Sequence, residues 1–185
     1  ASWAYIAGSS YIVQTVLGFD ATVYAITFAV NGIGLMAAGF IVARLAARLT
    51  DQQIIPIGLG LLSLGSLLVG ASAIVSENGG SPSPWLVLPG LFCFASAIAF
   101  YLGPAMGLTV RELRSTAGTA LALVGAVQFL VASIISPLTV LGGGASLAPF
   151  AILVAAATVA AWLSWMILRD GSHQSLSLAP RNRES

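Results

Sequence analysis

The chain has no lysine, one cysteine and one histidine, and only 7% of its 185 residues are charged. Each scarcity removes a class of protein. Soluble domains carry about 25% charged residues, and a water-exposed surface drawn from 58% hydrophobic residues would be one continuous, aggregating apolar patch. With a mean hydropathy of +0.97, the composition suits lipid as solvent. Cys93 lies in an apolar run; as the only cysteine it can form no intrachain disulfide, and it reads as a small packing residue. His173 stands alone in a polar tail, so no metal site is expected. Serine chemistry in the membrane would need a histidine at bilayer depth. None is expected there, and neither an enzyme nor a cofactor follows. Gly103-Pro104-Ala105-Met106-Gly107 lacks the lysine and hydroxyl residue of a phosphate loop.

What charge there is, is ordered. The basic residues are Arg44, Arg48, Arg111, Arg114, Arg169, Arg181 and Arg183, gathered in three short zones. The segments between apolar runs alternate between arginine-bearing and arginine-free, the pattern of a polytopic membrane protein with its arginines in the cytoplasm. Both chain ends are therefore expected on the cytoplasmic side. Arginines so placed orient helices and leave no basic groove, so nucleic acid is not an expected partner; the lipid bilayer is.

Charges and turn residues divide the chain into six predicted helices: Ser2–Val16, Ala21–Ala43, Ile54–Ser76, Trp85–Val110, Thr116–Leu141 and Leu147–Leu168. The uncharged stretch from Ser115 to Leu168 is twice the length one span of about 20 residues needs. Gly142-Gly143-Gly144 divides it into a helical hairpin. The first helix is short for a bilayer, Ala1 opens directly into it without a basic start, and there is no initiating methionine. A truncated first helix within a longer polypeptide is expected. The fold class is thus all-α membrane protein, with a six-helix bundle over residues 1–169 and a polar, disordered cytoplasmic tail over 170–185. Glycines recur on the second and third helices, where close backbone approach supplies packing in lipid; hinge roles are the alternative.

No ionisable side chain is predicted inside a span, and a self-sufficient proton pump normally needs one. The polar residues that remain are neutral. Asn31 and Gln128 lie well inside spans, and Gln14 lies near the end of the first. An unpaired amide in hydrocarbon costs several kcal/mol, so each meets either a partner helix or a substrate path. Tyr5 and Ser9, four apart, share a face of the first helix. Tyr101 either packs or lines a cavity. Pro104, deep in the fourth helix, must interrupt the hydrogen-bond ladder and is the expected helix break. Trp3, Trp85, Trp162 and Trp165 fall near predicted helix ends as interfacial anchors.

Several segments resemble the Bcr/CflA group of drug-resistance transporters in the major facilitator superfamily. Tyr5-Ile6-Ala7-Gly8-Ser9-Ser10-Tyr11-Ile12-Val13-Gln14 is similar to that family's seventh helix, and Phe28-Ala29-Val30-Asn31-Gly32-Ile33-Gly34-Leu35-Met36 to its eighth. Ala117-Gly118-Thr119-Ala120-Leu121-Ala122-Leu123, with Gly125 and Gln128-Phe129, resembles the start of its eleventh. Gly39, Arg44 and Arg48 resemble a degenerate copy of the superfamily's cytoplasmic loop motif. Ala43 stands at its acidic position and Ala46 at a glycine position, which favours a role in orientation and packing over a gating ion pair. Gly103-Pro104 is superficially similar to the antiporter motif, which belongs to the fifth helix, and carries no weight.

The resemblance implies the C-terminal half of a twelve-helix bacterial inner-membrane transporter, with nested 3+3 inverted repeats. It implies proton-coupled efflux of drugs or other small amphipathic molecules, with proton coupling mainly in the N-terminal six-helix half. Partners are then that half, a small-molecule substrate and protons. Tyr5, Ser9, Gln14, Asn31, Tyr101 and Gln128 become candidates for the substrate-cavity wall. The alternative is a non-transporting six-helix subunit, or an inert fragment of a disrupted transporter gene.

Overall fold

A lipid-facing backbone must satisfy its polar groups internally, and this chain does so with helices. The computed structural model describes residues 2–112, 116–138 and 146–177. In chain order the helices are α1 (Ser2–Tyr11), α2 (Ala21–Leu45), α3 (Asp51–Glu77), α4 (Pro84–Glu112), α5 (Ala117–Leu138) and α6 (Ala148–Ser177). A wider π-helical segment, Ile12–Val16, continues α1. Among the described residues there is no strand, and four helices are long and apolar enough to cross a membrane: Ala21–Leu45, Asp51–Glu77, Pro84–Pro104 and Ala148–Ile167. The apolar stretch of α5, Gly118–Ile134, is shorter. A multi-pass membrane protein is the architecture these spans support.

The ends of the helices have identifiable causes. Asp20 starts α2 by accepting a 2.8 Å hydrogen bond from the Val23 N–H, satisfying one of the orphan donors of a helix N-terminus. Gln53 reaches back to the Thr50 N–H at 3.1 Å, half of a capping box. This capping lets α3 begin at Asp51 rather than at Ile54, almost a turn earlier than predicted. At its other end the Asn78 amide donates to the Ile74 carbonyl at 2.8 Å. Gly79 then turns the chain at φ +88°, a conformation open to glycine at little cost. The Ser83 N–H donates to Ser72 Oγ at 2.9 Å, pinning the start of α4 to α3.

Two expectations need correction. Pro104 does not break α4, which runs from Pro84 through Pro89 and Pro104 to Glu112. Each proline removes one rung of the ladder, and the remaining rungs carry the helix across the gap. The sixth helix does not stop at Leu168: α6 runs to Ser177, into the tail expected to be disordered. A polar sequence lacks lipid-facing bulk, yet nothing in Asp170–Ser177 forbids helical dihedrals. Residues 178–185 and the Gly142-Gly143-Gly144 hairpin lie outside the described residues.

Helix α4 is central, packing on α3, α2, α1 and α5, while α3 also packs on α6. Where α3 crosses α4, a Cβ on Gly65 would stand 2.9 Å from the Gly90 carbonyl oxygen, and one on Gly90 would stand 2.8 Å from Val69 Cγ2. The paired glycines let the two backbones nearly touch. Gly34 on α2 lies against the Phe92 ring, and Gly58 on α3 against Phe100. By contrast Gly32, Gly39, Gly60 and Gly70 have open space where a Cβ would be. Beneath these crossings, Phe94 of α4 meets Phe150 of α6 edge to face with ring centroids 6.3 Å apart. Away from the core, Ile33, Phe40 and Leu67 are 66%, 70% and 71% exposed, which is tolerable only under lipid.

Candidate functional site

Tyr5 on α1 and Asn31 on α2 are each only 3% exposed. The Asn31 Nδ2 donates to the Tyr5 hydroxyl oxygen at 2.8 Å. Among apolar neighbours neither group could be buried alone without a desolvation cost, so they satisfy one another across the helix pair. The Tyr5 oxygen accepts in this bond, so its own O–H remains a donor. The Asn31 amide likewise keeps a second N–H and its carbonyl oxygen. The pair is neutral. It can orient a polar group by hydrogen bonding but cannot carry a proton at physiological pH.

The other candidates are placed differently. Ser9 lies on the Tyr5 face of α1, is buried, and donates to the Ile6 carbonyl at 3.1 Å. Gln14, in the π-helical segment, donates from Nε2 to Ser10 Oγ at 2.8 Å, within its own span. Tyr101 is half-buried and packs on the main core cluster. Gln128 is half-buried on α5 and makes no side-chain hydrogen bond among the described residues. A direct bond therefore joins Tyr5 and Asn31, and among the described residues no side-chain bond ties the remaining four to that pair. Gly39 borders a shallow depression with Met36, Phe40 and Ala43 on α2, and Arg44 and Arg48 are exposed beyond it.

Two polar features escaped the sequence reading. Ser96 Oγ on α4 is buried with no hydrogen-bond partner among the described residues, beside Gly34, one helical turn along α2 from Asn31. Between α3 and α6 runs a seam of hydroxyls. Ser66 and Thr158 are 2.8 Å apart, the Trp162 indole N–H donates to Ser63 Oγ at 3.0 Å, and Ser63 donates to the Leu59 carbonyl at 2.9 Å. The Trp162 indole is thus tied into the contact between α3 and α6. Trp165 is half-buried against the core, Trp85 is 88% exposed at the start of α4, and the Trp3 side chain lies outside the described residues. The spacings Ser63/Ser66 and Thr158/Trp162 put each pair on one helix face, and that signal could have been used.

No protein-family profile matches the chain, and no solved structure matches it. Among curated proteins it is similar to an uncharacterized MFS-type transporter, YdgK, of Bacillus subtilis (strain 168). The two are 26% identical over 137 residues, which cover 74% of this chain and 33% of that protein. The chain thus spans about a third of the length of the curated relative it matches. The similarity supports the major facilitator superfamily, and a transporter in general.

Proposed function

We propose that this chain is the C-terminal six-helix half of a proton-coupled exporter of small amphipathic molecules. The Tyr5–Asn31 pair forms part of the substrate-cavity wall. The observation that carries this is the buried, neutral hydrogen bond between α1 and α2. Polar side chains at bilayer depth on two adjoining helices are costly, and they mark substrate paths in transporters.

Two further observations favour a six-span half with nested repeats. With the π-helical segment counted as part of α1, exchanging α1 with α4, α2 with α5 and α3 with α6 turns the set of packed helix pairs into itself, α4–α5 becoming the contact of that segment with α2. Pair α3–α4 becomes α6–α1, pair α2–α4 becomes α5–α1, and α3–α6 and α1–α4 map onto themselves. That is the relation two inverted three-helix repeats would have. Exposed apolar side chains on α2 (Ile33, Met36, Phe40) and on α5 (Leu123, Phe129, Leu130) offer surface to lipid and to an N-terminal half. Substrate would lie between the halves, with Asn31, Tyr5, Ser9, Gln14, Tyr101 and Gln128 contributing to one wall. The titrating carboxylate would be in the other half, where proton entry supplies about 2.3 kcal/mol per charge per 100 mV. In this reading Arg44 and Arg48 mark the cytoplasmic side of a bacterial inner membrane, and both ends of the chain are cytoplasmic.

The test is transport. Cells expressing the gene should accumulate less of at least one amphipathic dye or drug than control cells. Asn31→Leu should restore accumulation while membrane abundance is unchanged. Gln128→Leu, on α5, should shift the substrate range. Accumulation equal to the control across a broad panel, or unaltered by both substitutions, contradicts the proposal.

A further inference from the structure

A groove of about 360 Å³ opens between the C-terminal turns of α3 and the N-terminal turns of α6. Its walls are small or apolar, with Gly70, Ala73, Ala151, Ile152 and Ala155 among them. Both helices are candidate membrane spans, so what fills such a slot is an acyl chain. Polar groups line it at one end only, where Glu77 and Asn78 close α3.

Those two residues present acceptors. Glu77 Oε1 takes a 3.1 Å hydrogen bond from Ser146 Oγ, which sets the carboxylate against the start of α6, and among the described residues Oε2 takes none. The Asn78 Nδ2 gives one N–H to the Ile74 carbonyl, and the amide keeps its Oδ1 as an acceptor beside the second N–H. Among the described residues no cationic side chain lines the groove. Its mouth therefore offers one negative charge and spare oxygen lone pairs, and asks for a positive group with N–H donors. A primary ammonium supplies three such donors. A trimethylammonium has the charge without the donors, and a glycerol headgroup has neither the cation nor the charge complementarity.

We propose that this groove is a binding site for a phospholipid with a primary-amine headgroup. Its tail lies between α3 and α6, and its ammonium is hydrogen-bonded by Glu77 and Asn78. The site stands apart from the Tyr5–Asn31 pair and does not depend on the transport reading.

The experiment measures lipid retained by the purified full chain in detergent, by native mass spectrometry. Phosphatidylethanolamine, its N-methyl, N,N-dimethyl and trimethyl forms, and phosphatidylglycerol are added back in turn. Retention should fall stepwise with each methyl group. The primary amine should bind about tenfold more tightly than the trimethyl form, as expected for loss of charge-assisted hydrogen bonds, and phosphatidylglycerol should bind least. Glu77→Gln should abolish the preference among headgroups. Ala155→Phe, at an exposed position on the wall, should remove the retained lipid whatever its headgroup. Equal retention across the methyl series overturns the proposal, and so does a preference that survives both substitutions. The methyl series needs no variant, so it decides the matter even if a substituted chain fails to fold.

Discussion

Tyr5 and Asn31 show how one hydrogen bond serves packing and function together. Removing either partner leaves the other buried and unsatisfied, at about 1–3 kcal/mol. Tyr5→Phe and Asn31→Leu should each lower stability to unfolding in micelles by that order. The double variant should lose less than the sum, with a coupling of about 0.6–1.7 kcal/mol, the range for hydrogen bonds between membrane helices. Additive losses would mean the two side chains do not meet. Both residues were recognisable in the sequence, because an amide and a phenol stand out in apolar runs. Their pairing was not: they lie 26 positions apart on different helices, and nothing local joins them. Ser96 was invisible for a related reason. Serine in a membrane helix commonly bonds its own backbone, as Ser164 does to the Ala160 carbonyl at 2.8 Å, so its type alone says little.

At the scale of elements, glycine content predicted close helix packing, but only the structure separates the glycines that pack from those that do not. Gly65→Ala should force α3 from α4, because the new Cβ would meet the Gly90 carbonyl. An overpacking loss of about 1–3 kcal/mol is expected. Gly60→Ala meets open space and should leave stability unchanged or raise it by about 0.5–1 kcal/mol through helix propensity. Thermal unfolding of the two variants side by side checks this, and equal behaviour would contradict the crossing. The difference could not be seen beforehand, since a membrane helix is apolar all round and carries no polar face to orient it. The α3–α6 seam was hidden by sequence distance, its partners lying 92 and 99 residues apart. Ser66→Ala and Thr158→Val break the same bond, so the double variant should cost less than the sum of the two single changes. In Ser66→Ala the Thr158 hydroxyl keeps its 2.7 Å bond to the Val154 carbonyl. Strictly additive losses would argue against a direct Ser66–Thr158 bond.

For the whole molecule, the spacing of charges and turn residues gave the order of the helices and approximate starts for all six. Helix ends moved where capping chemistry took over, as at Thr50–Gln53, and a proline expected to break α4 was absorbed within it. Four described helices are long and apolar enough to span a bilayer. The arginine distribution adds a direction: Arg44 lies in the last turn of α2, and Glu77 closes α3, the next candidate span. Glu77 and Arg44 must then face opposite sides of the membrane. The most direct measurement replaces Cys93 with alanine, introduces cysteine at position 77 or 44, and exposes intact cells to a membrane-impermeant thiol reagent. Cysteine at 77 should react from outside, and cysteine at 44 should react only after the cells are opened. Reaction at 44 in intact cells with position 77 protected would contradict the arrangement.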